Sequence, residues 1–123
     1  MSKYNSRKVK LREQTFDSKK EARRFAELKL LERAGKISDL ETQVRFELIP
    51  AQYETYERYS SKTGKRLKDG KRCIEQSVVY NADFVYIQDG KKIVEDTKGV
   101  RTVDYILKRK MMLYFHGIRI REV

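Results

Sequence analysis

Two periods of apolar and polar positions run along this chain, and each change of period marks a new element. From Ser18 to Ala34 the apolar residues Ala22, Phe25, Ala26, Leu28 and Leu30 recur at helical spacing. Ser18 and Glu21 have the spacing of a capping box, Phe16 is placed to pack back on the first turns, and Gly35 supplies a stop. Val44, Phe46 and Leu48 then alternate with Gln43, Arg45 and Glu47, which predicts a half-buried strand ended by Pro50. Residues 53–59 read as a second, aromatic and more exposed strand. Residues 60–72 are basic, hold two glycines and show no period, so a mobile loop is expected there. A long strand is expected from Ile74 to Ile87, with Ile74, Val78, Tyr80, Ala82, Phe84 and Tyr86 on one face. Asp89-Gly90 suits a two-residue turn, whose central positions both need positive φ. The returning strand ends at Lys98-Gly99. Thr102 caps a helix that runs to about Phe115 and stops at Gly117. Its apolar arc is Val103, Ile106, Leu107, Leu113 and Tyr114, with Lys110 in the middle. Residues 118–123 form a short last strand. The order α-β-β-β-β-α-β predicts an α/β fold, a mixed and mostly antiparallel central sheet with a helix on each side.

A chain of 123 residues suits one domain with a real core. No apolar run approaches the roughly 20 residues that cross a bilayer, and residues 1–5 lack the apolar stretch of a signal peptide. The single Cys73 excludes an internal disulfide and a thiolate metal cluster. These features predict a cytoplasmic protein with no membrane partner. Net charge is +11 and the pI about 9.8, an excess that points to a polyanion, most simply nucleic acid. The charge is clustered. A basic arm over residues 1–12 carries Lys3, Arg7, Lys8, Lys10 and Arg12 without an acid, and a second cluster fills residues 58–72. Lys65, Arg66 and Lys68 in that loop, with Arg101, Lys108 and Lys110 around the last helix, are the expected DNA contacts. Lys110 either snorkels to the surface or points at the sheet to bind a phosphate.

The turn at Asp89-Gly90 sets the candidate chemistry. With a two-residue turn, Val85 pairs with Val94 and Asp83 falls opposite Asp96, with Lys98 on the same face. Directly opposed like charges destabilise a sheet, so a cation is expected between them. Mg²⁺ needs only one or two carboxylates and keeps waters as further ligands. Lys98 would point at the same spot, and Gly99 would let a nucleic-acid backbone come close. A three-residue turn with a glycine bulge is the other register; it opposes Asp83 to Glu95 and turns Lys98 away. Glu21 is explained by the capping box, yet it also shares the core-facing side of its helix and can serve the site. Gln43, at the head of a strand, is read mainly as structural. His116 is read as helix capping, and there is no Ser/His/Asp set, Walker loop or HExxH.

Asp83 followed by Asp96-Thr97-Lys98 resembles the D…(D/E)-x-K signature of the PD-(D/E)XK nuclease superfamily. Glu21 on a preceding helix resembles the helix-borne acid of its Holliday-junction-resolvase-like branches. Residues 16–22, 43–48, 82–84 and 94–99 together look like a small phage- and prophage-encoded family placed there. Ala82 stands where the superfamily's motif has proline. The resemblance implies a restriction-endonuclease-like core, DNA cleavage dependent on Mg²⁺ or Mn²⁺, Asp83 and Asp96 as metal ligands, a catalytic Lys98, and a site completed by Glu21. It further implies branched or structured DNA as substrate in phage replication or recombination, and a symmetric junction would suit a homodimer. The rival expectations are a non-catalytic nucleic-acid-binding module of the same fold and an RNA-associated adaptor.

Overall fold

The computed structural model describes residues 9–11, 14–16, 18–98 and 100–123, with side chains from Ser18 onward. Of the basic arm over residues 1–12, residues 9–11 form a strand and the rest lie outside the described residues, as do the packing of Phe16 and the conformation of Gly99. Strands β1 (Val9–Leu11) and β2 (Gln14–Phe16) pair with each other. Helix α1 (Lys19–Arg33) starts where the Ser18 side chain accepts the Glu21 N–H, and ends before Gly35 at φ +76°. Then come β3 (Ser38–Ile49), β4 (Gln52–Tyr59), β5 (Arg66–Glu75), β6 (Val78–Gln88) and β7 (Lys91–Asp96). Helix α2 (Val103–His116) is capped by the Thr102 hydroxyl and closed by Gly117 in the left-handed region; β8 (Arg121–Glu122) follows.

The central sheet has the order β3-β6-β7-β8, antiparallel except for the parallel β7–β8 pair. It is a mixed α/β fold with a helix on each face. Ala22, Phe25 and Leu28 of α1 pack with Ile37, Phe84 and Tyr86; Tyr105 and Met112 of α2 pack with Phe46, Leu48, Tyr80, Ala82, Val85 and Val94.

Four details depart from the sequence reading. Half of the expected loop is strand β5, which pairs with β4 in a separate ribbon. The expected strand from Ile74 to Ile87 is broken at residues 76–77, so Ile74 lies exposed on that ribbon. Ala26 and Leu30 are exposed rather than core, and α1 buries Glu21 in their stead. Helix α2 is also rotated from the predicted arc. Val103 is 82 % and Tyr114 83 % exposed, with Leu107 and Leu113 also exposed, while Tyr105 and Met112 are buried. Lys110 is exposed, and Lys108, an expected DNA contact, is half-buried, as is Arg109 beside it. Their long apolar stems allow this, and the Arg109 head reaches Glu122 on β8 at 3.7 Å.

The pleat of the sheet also reverses once. Phe84 and Tyr86 face α1, yet Tyr80 and Ala82, at the same parity, face α2. The predicted single face of β6 therefore breaks at Asp83. On β3, Thr42 pairs with Phe84 and Val44 with Ala82, so the break there falls at Gln43, whose φ is +52°. A non-glycine residue in that region carries strain, about 1–2 kcal/mol.

Candidate active site

The two-residue turn sets the register of the β6–β7 hairpin. Gln88 pairs with Lys91, Val85 with Val94 and Phe84 with Glu95. Continuing that register puts Asp83 opposite Asp96, and the β3 register puts Gln43 on the other side of Asp83. Gln43, Asp83 and Asp96 thus form one row across three strands, where the pleat reverses.

Each carboxylate in the row is held by named groups. The Thr97 N–H and hydroxyl both donate to Asp83 Oδ2, at 2.9 and 2.8 Å. The Tyr80 hydroxyl donates to Asp96 Oδ2 at 2.5 Å. Burial and the neighbouring Asp96 push the Tyr80 hydroxyl far up, so it stays protonated as the donor. Lys98 Nζ lies 3.3 Å from Asp96 Oδ1 and 4.3 Å from the centre of the Tyr105 ring, which fixes the ammonium from below. Asp96 is 2 % exposed. Burial first, and then the charge of Asp83, push its carboxyl up to about 6, although Lys98 pulls the other way.

Glu21 is buried at the start of α1, and its Oε1 accepts a hydrogen bond from Gln43 Nε2 at 2.7 Å. Through Gln43 the helix-borne acid reaches the row of aspartates. Among the described residues no group of three or more His, Cys, Asp or Glu side chains is arranged to hold a metal ion. The carboxylates that meet in the row are two, Asp83 and Asp96.

On the opposite face of β7, Glu95 is fully buried. Arg24 Nε and Nη2 donate to its two oxygens at 2.6 and 3.0 Å, and the Tyr86 hydroxyl donates at 2.6 Å. This forked pair raises the Arg24 guanidinium above its ordinary value. It ties the first turns of α1 to the strand that carries Asp96. A cleft of about 160 Å³ lies alongside, lined by Lys20, Arg23, Arg24, Glu27, Thr97 and Val123, and Lys20 Nζ donates to the Lys98 carbonyl at 3.1 Å.

The model described as "Protein of unknown function (DUF1064)" matches residues 1–122. The chain belongs to the DUF1064 family. No curated protein and no solved structure matches it.

In this DUF1064 chain, sequence reasoning placed Asp83, Asp96 and Lys98 together, and the structure brings them together. It places Glu21 beside them through Gln43, a residue whose sequence position suggests mainly a structural role. The basic residues around the cleft, Lys20, Arg23 and Arg24, were missed. Their placement one to three positions from Glu21 was the available signal. The expected DNA contacts lie elsewhere. Lys65, Arg66 and Lys68 are exposed on the β4–β5 ribbon, where Arg66 pairs with Asp69 at 2.9 Å. Arg101 is pinned to Glu122 at 2.9 Å. Lys110 lines a second cavity, of about 360 Å³, with Arg109, Arg119 and Glu122, rather than pointing at the row. His116 Nε2 bonds to the Glu47 carbonyl at 2.7 Å, joining the end of α2 to β3. No described helix is long and apolar enough to cross a membrane.

Proposed function

We propose that this chain is a divalent-metal-dependent DNA endonuclease of the PD-(D/E)XK type. The observation that carries the reading is the row itself: Asp83, one step beyond the Phe84–Glu95 pair, interacts with Asp96, and the Lys98 ammonium lies 3.3 Å from Asp96. The donor set fits Mg²⁺ or Mn²⁺, because both carboxylates offer hard oxygens and Mg²⁺ is satisfied by one or two of them plus water. Asp83 and Asp96 would hold the ion. Bound there, it supplies a Lewis acid for the phosphate oxygen and lowers the pKa of an attacking water.

The remaining groups have separate tasks. Thr97 and Tyr80 fix the two carboxylates, so their oxygens need not reorganise when charge develops. Lys98 stabilises the negative charge that builds on the phosphate in the transition state. Glu21 orients Gln43, and Gln43 lies beside Asp83 at the edge of the row. Lys20 and Arg23, lining the adjoining cleft, receive the DNA backbone. The net charge of +11 supports a polyanionic substrate. The finer reading, a homodimer acting on branched DNA in phage replication or recombination within a host-cell cytoplasm, rests on the sequence resemblance.

Labelled linear, flapped and four-way-junction DNA incubated with Mg²⁺, Mn²⁺ or EDTA tests it. Cleavage is expected only with metal. Asp83→Asn, Asp96→Asn and Lys98→Met are expected to abolish it while binding in EDTA persists. Equal cleavage by wild type and all three variants refutes the reading, and no preference for the junction refutes the finer one.

A further inference from the structure

Strands β4 and β5 pair only with each other, as a two-stranded sheet apart from the central one. They continue directly from β3 and β6, past Pro50 and Ala51 on one side and Gln76 and Ser77 on the other, so the ribbon is an outgrowth of the β3–β6 hairpin. Every residue of β4 is exposed, and every residue of β5 except Gly70. A bare hairpin is marginal in water. This one is stiffened from within. The Tyr56 ring lies across Gly70, where any Cβ would collide with it, and Arg72 covers that ring at 4.4 Å. Arg72 also pairs with Glu54 at 3.0 Å, and Lys71 covers Tyr53 at 4.3 Å. Tyr53, Tyr59, Leu67 and Ile74 stand exposed along this stiff arm, apolar surface of the kind that a partner covers.

The charge of the arm selects that partner. Residues 52–75 hold seven Lys and Arg against four Asp and Glu, a difference of +3. The acids Glu54, Glu57 and Asp69 are engaged by Arg72 and Arg66. Arg58, Lys62, Lys65 and Lys68 form no ion pair among the described residues and are exposed. A second copy of so basic an arm would repel it.

We propose that the β4–β5 ribbon is a groove-reading arm for duplex nucleic acid, seated beside the phosphate held at the Asp83 row. The choice of DNA as the duplex rests on the nuclease reading. A two-stranded ribbon fits the major groove, which is about 12 Å wide. Five residue steps separate Asp83 from Val78, where β6 begins, so the arm starts about 17 Å from the row at about 3.3 Å per residue. Its shorter strand, the eight residues of β4, adds about 26 Å. At about 3.4 Å per base pair the arm can reach the duplex up to about 13 base pairs from the scissile phosphate.

The test is binding in EDTA, so its outcome does not depend on cleavage. Fluorescence anisotropy with duplexes of 10, 15, 20 and 30 base pairs, and a 30-nucleotide single strand, is measured between 50 and 200 mM salt. Two variants are compared with wild type. In one, residues 52–75 are replaced by Asn-Gly; in the other, Lys62→Glu, Lys65→Glu and Lys68→Glu are combined in an intact ribbon. For the triple variant the log–log salt slope on the 30-base-pair duplex is expected to fall by about 2 to 3 and affinity at least tenfold. The loss should shrink on the 10-base-pair duplex and be smaller on the single strand. Unchanged affinity and slope in both variants overturns the proposal. So does an equal loss on single strand and duplex, or a change confined to the oligomeric state by sedimentation. If the arm behaves as expected while wild type cuts nothing with metal, the nuclease reading fails and the arm stands.

Discussion

Replacing Asp96 by asparagine removes a charge that the fold itself disfavours. The carboxyl moves from an ordinary value of 3.8 up to about 6, through burial and then the charge of Asp83. Between those values the folded protein keeps a proton that the unfolded chain has released. Stability therefore falls as pH rises through about 4 to 6 and is flat above, a loss of about 3 kcal/mol at neutral pH. Asparagine keeps the size, can still accept from Tyr80, and can donate to Asp83. It gives up the contact with Lys98, a partly exposed pair worth about 1 kcal/mol at most. Asp96→Asn is thus expected to stabilise the metal-free protein by about 1–3 kcal/mol at pH 7.5 and by nearly nothing at pH 4. In a chain of this size that raises Tm by roughly 4–10 °C. Urea unfolding and thermal melts of both proteins across pH 4 to 8 measure the difference curve. Divalent metal at a hundred times its Kd should then add about 2.7 kcal/mol to wild type and little to the variant. A difference that is flat with pH, or an asparagine variant less stable at pH 7.5, refutes the argument.

Three further outcomes follow from particular contacts. Arg24→Leu leaves Glu95 buried without its cation and should cost about 3–5 kcal/mol in urea unfolding, with Arg24→Leu/Glu95→Gln recovering most of it. Gln43→Gly relieves the strain at φ +52° but cuts the tie to Glu21, so unfolding should show a stability within about 1 kcal/mol of wild type or better, while cleavage assays show reduced turnover. Gly70→Ala displaces the Tyr56 ring, so hydrogen exchange in residues 52–75 should quicken while the melting temperature of the core stays unchanged.

The hairpin register and the helix ends were legible because single residues dictate them: Asp89-Gly90 for the turn, Ser18 and Thr102 for the N-caps, Gly117 for a left-handed stop. Strand β5 was hidden because a ribbon wet on both faces has no apolar alternation to read. The rotation of α2 was hidden because two apolar arcs compete there, and lysine and arginine stems can cover a core without looking apolar. Nothing in a glutamine announces a positive φ, so the pleat reversal, and with it the place of Gln43 beside Asp83, could not be anticipated. Arg24 and Glu95 are 71 residues apart, beyond the reach of any local pattern.

That forked pair bears on how a substrate gains entry. It fastens α1 one turn after Glu21, and β7 one residue before Asp96. Swinging the helix outward would strand a carboxylate in a dry interior, so α1 and the strand that carries Asp96 cannot part to admit a bulky duplex. For the proposed reaction, the distortion must then be borne by the DNA. Strands already bent or frayed would bring a phosphate to the row at least cost, whereas a smooth B-form helix held by the ribbon would be bound yet cut more slowly.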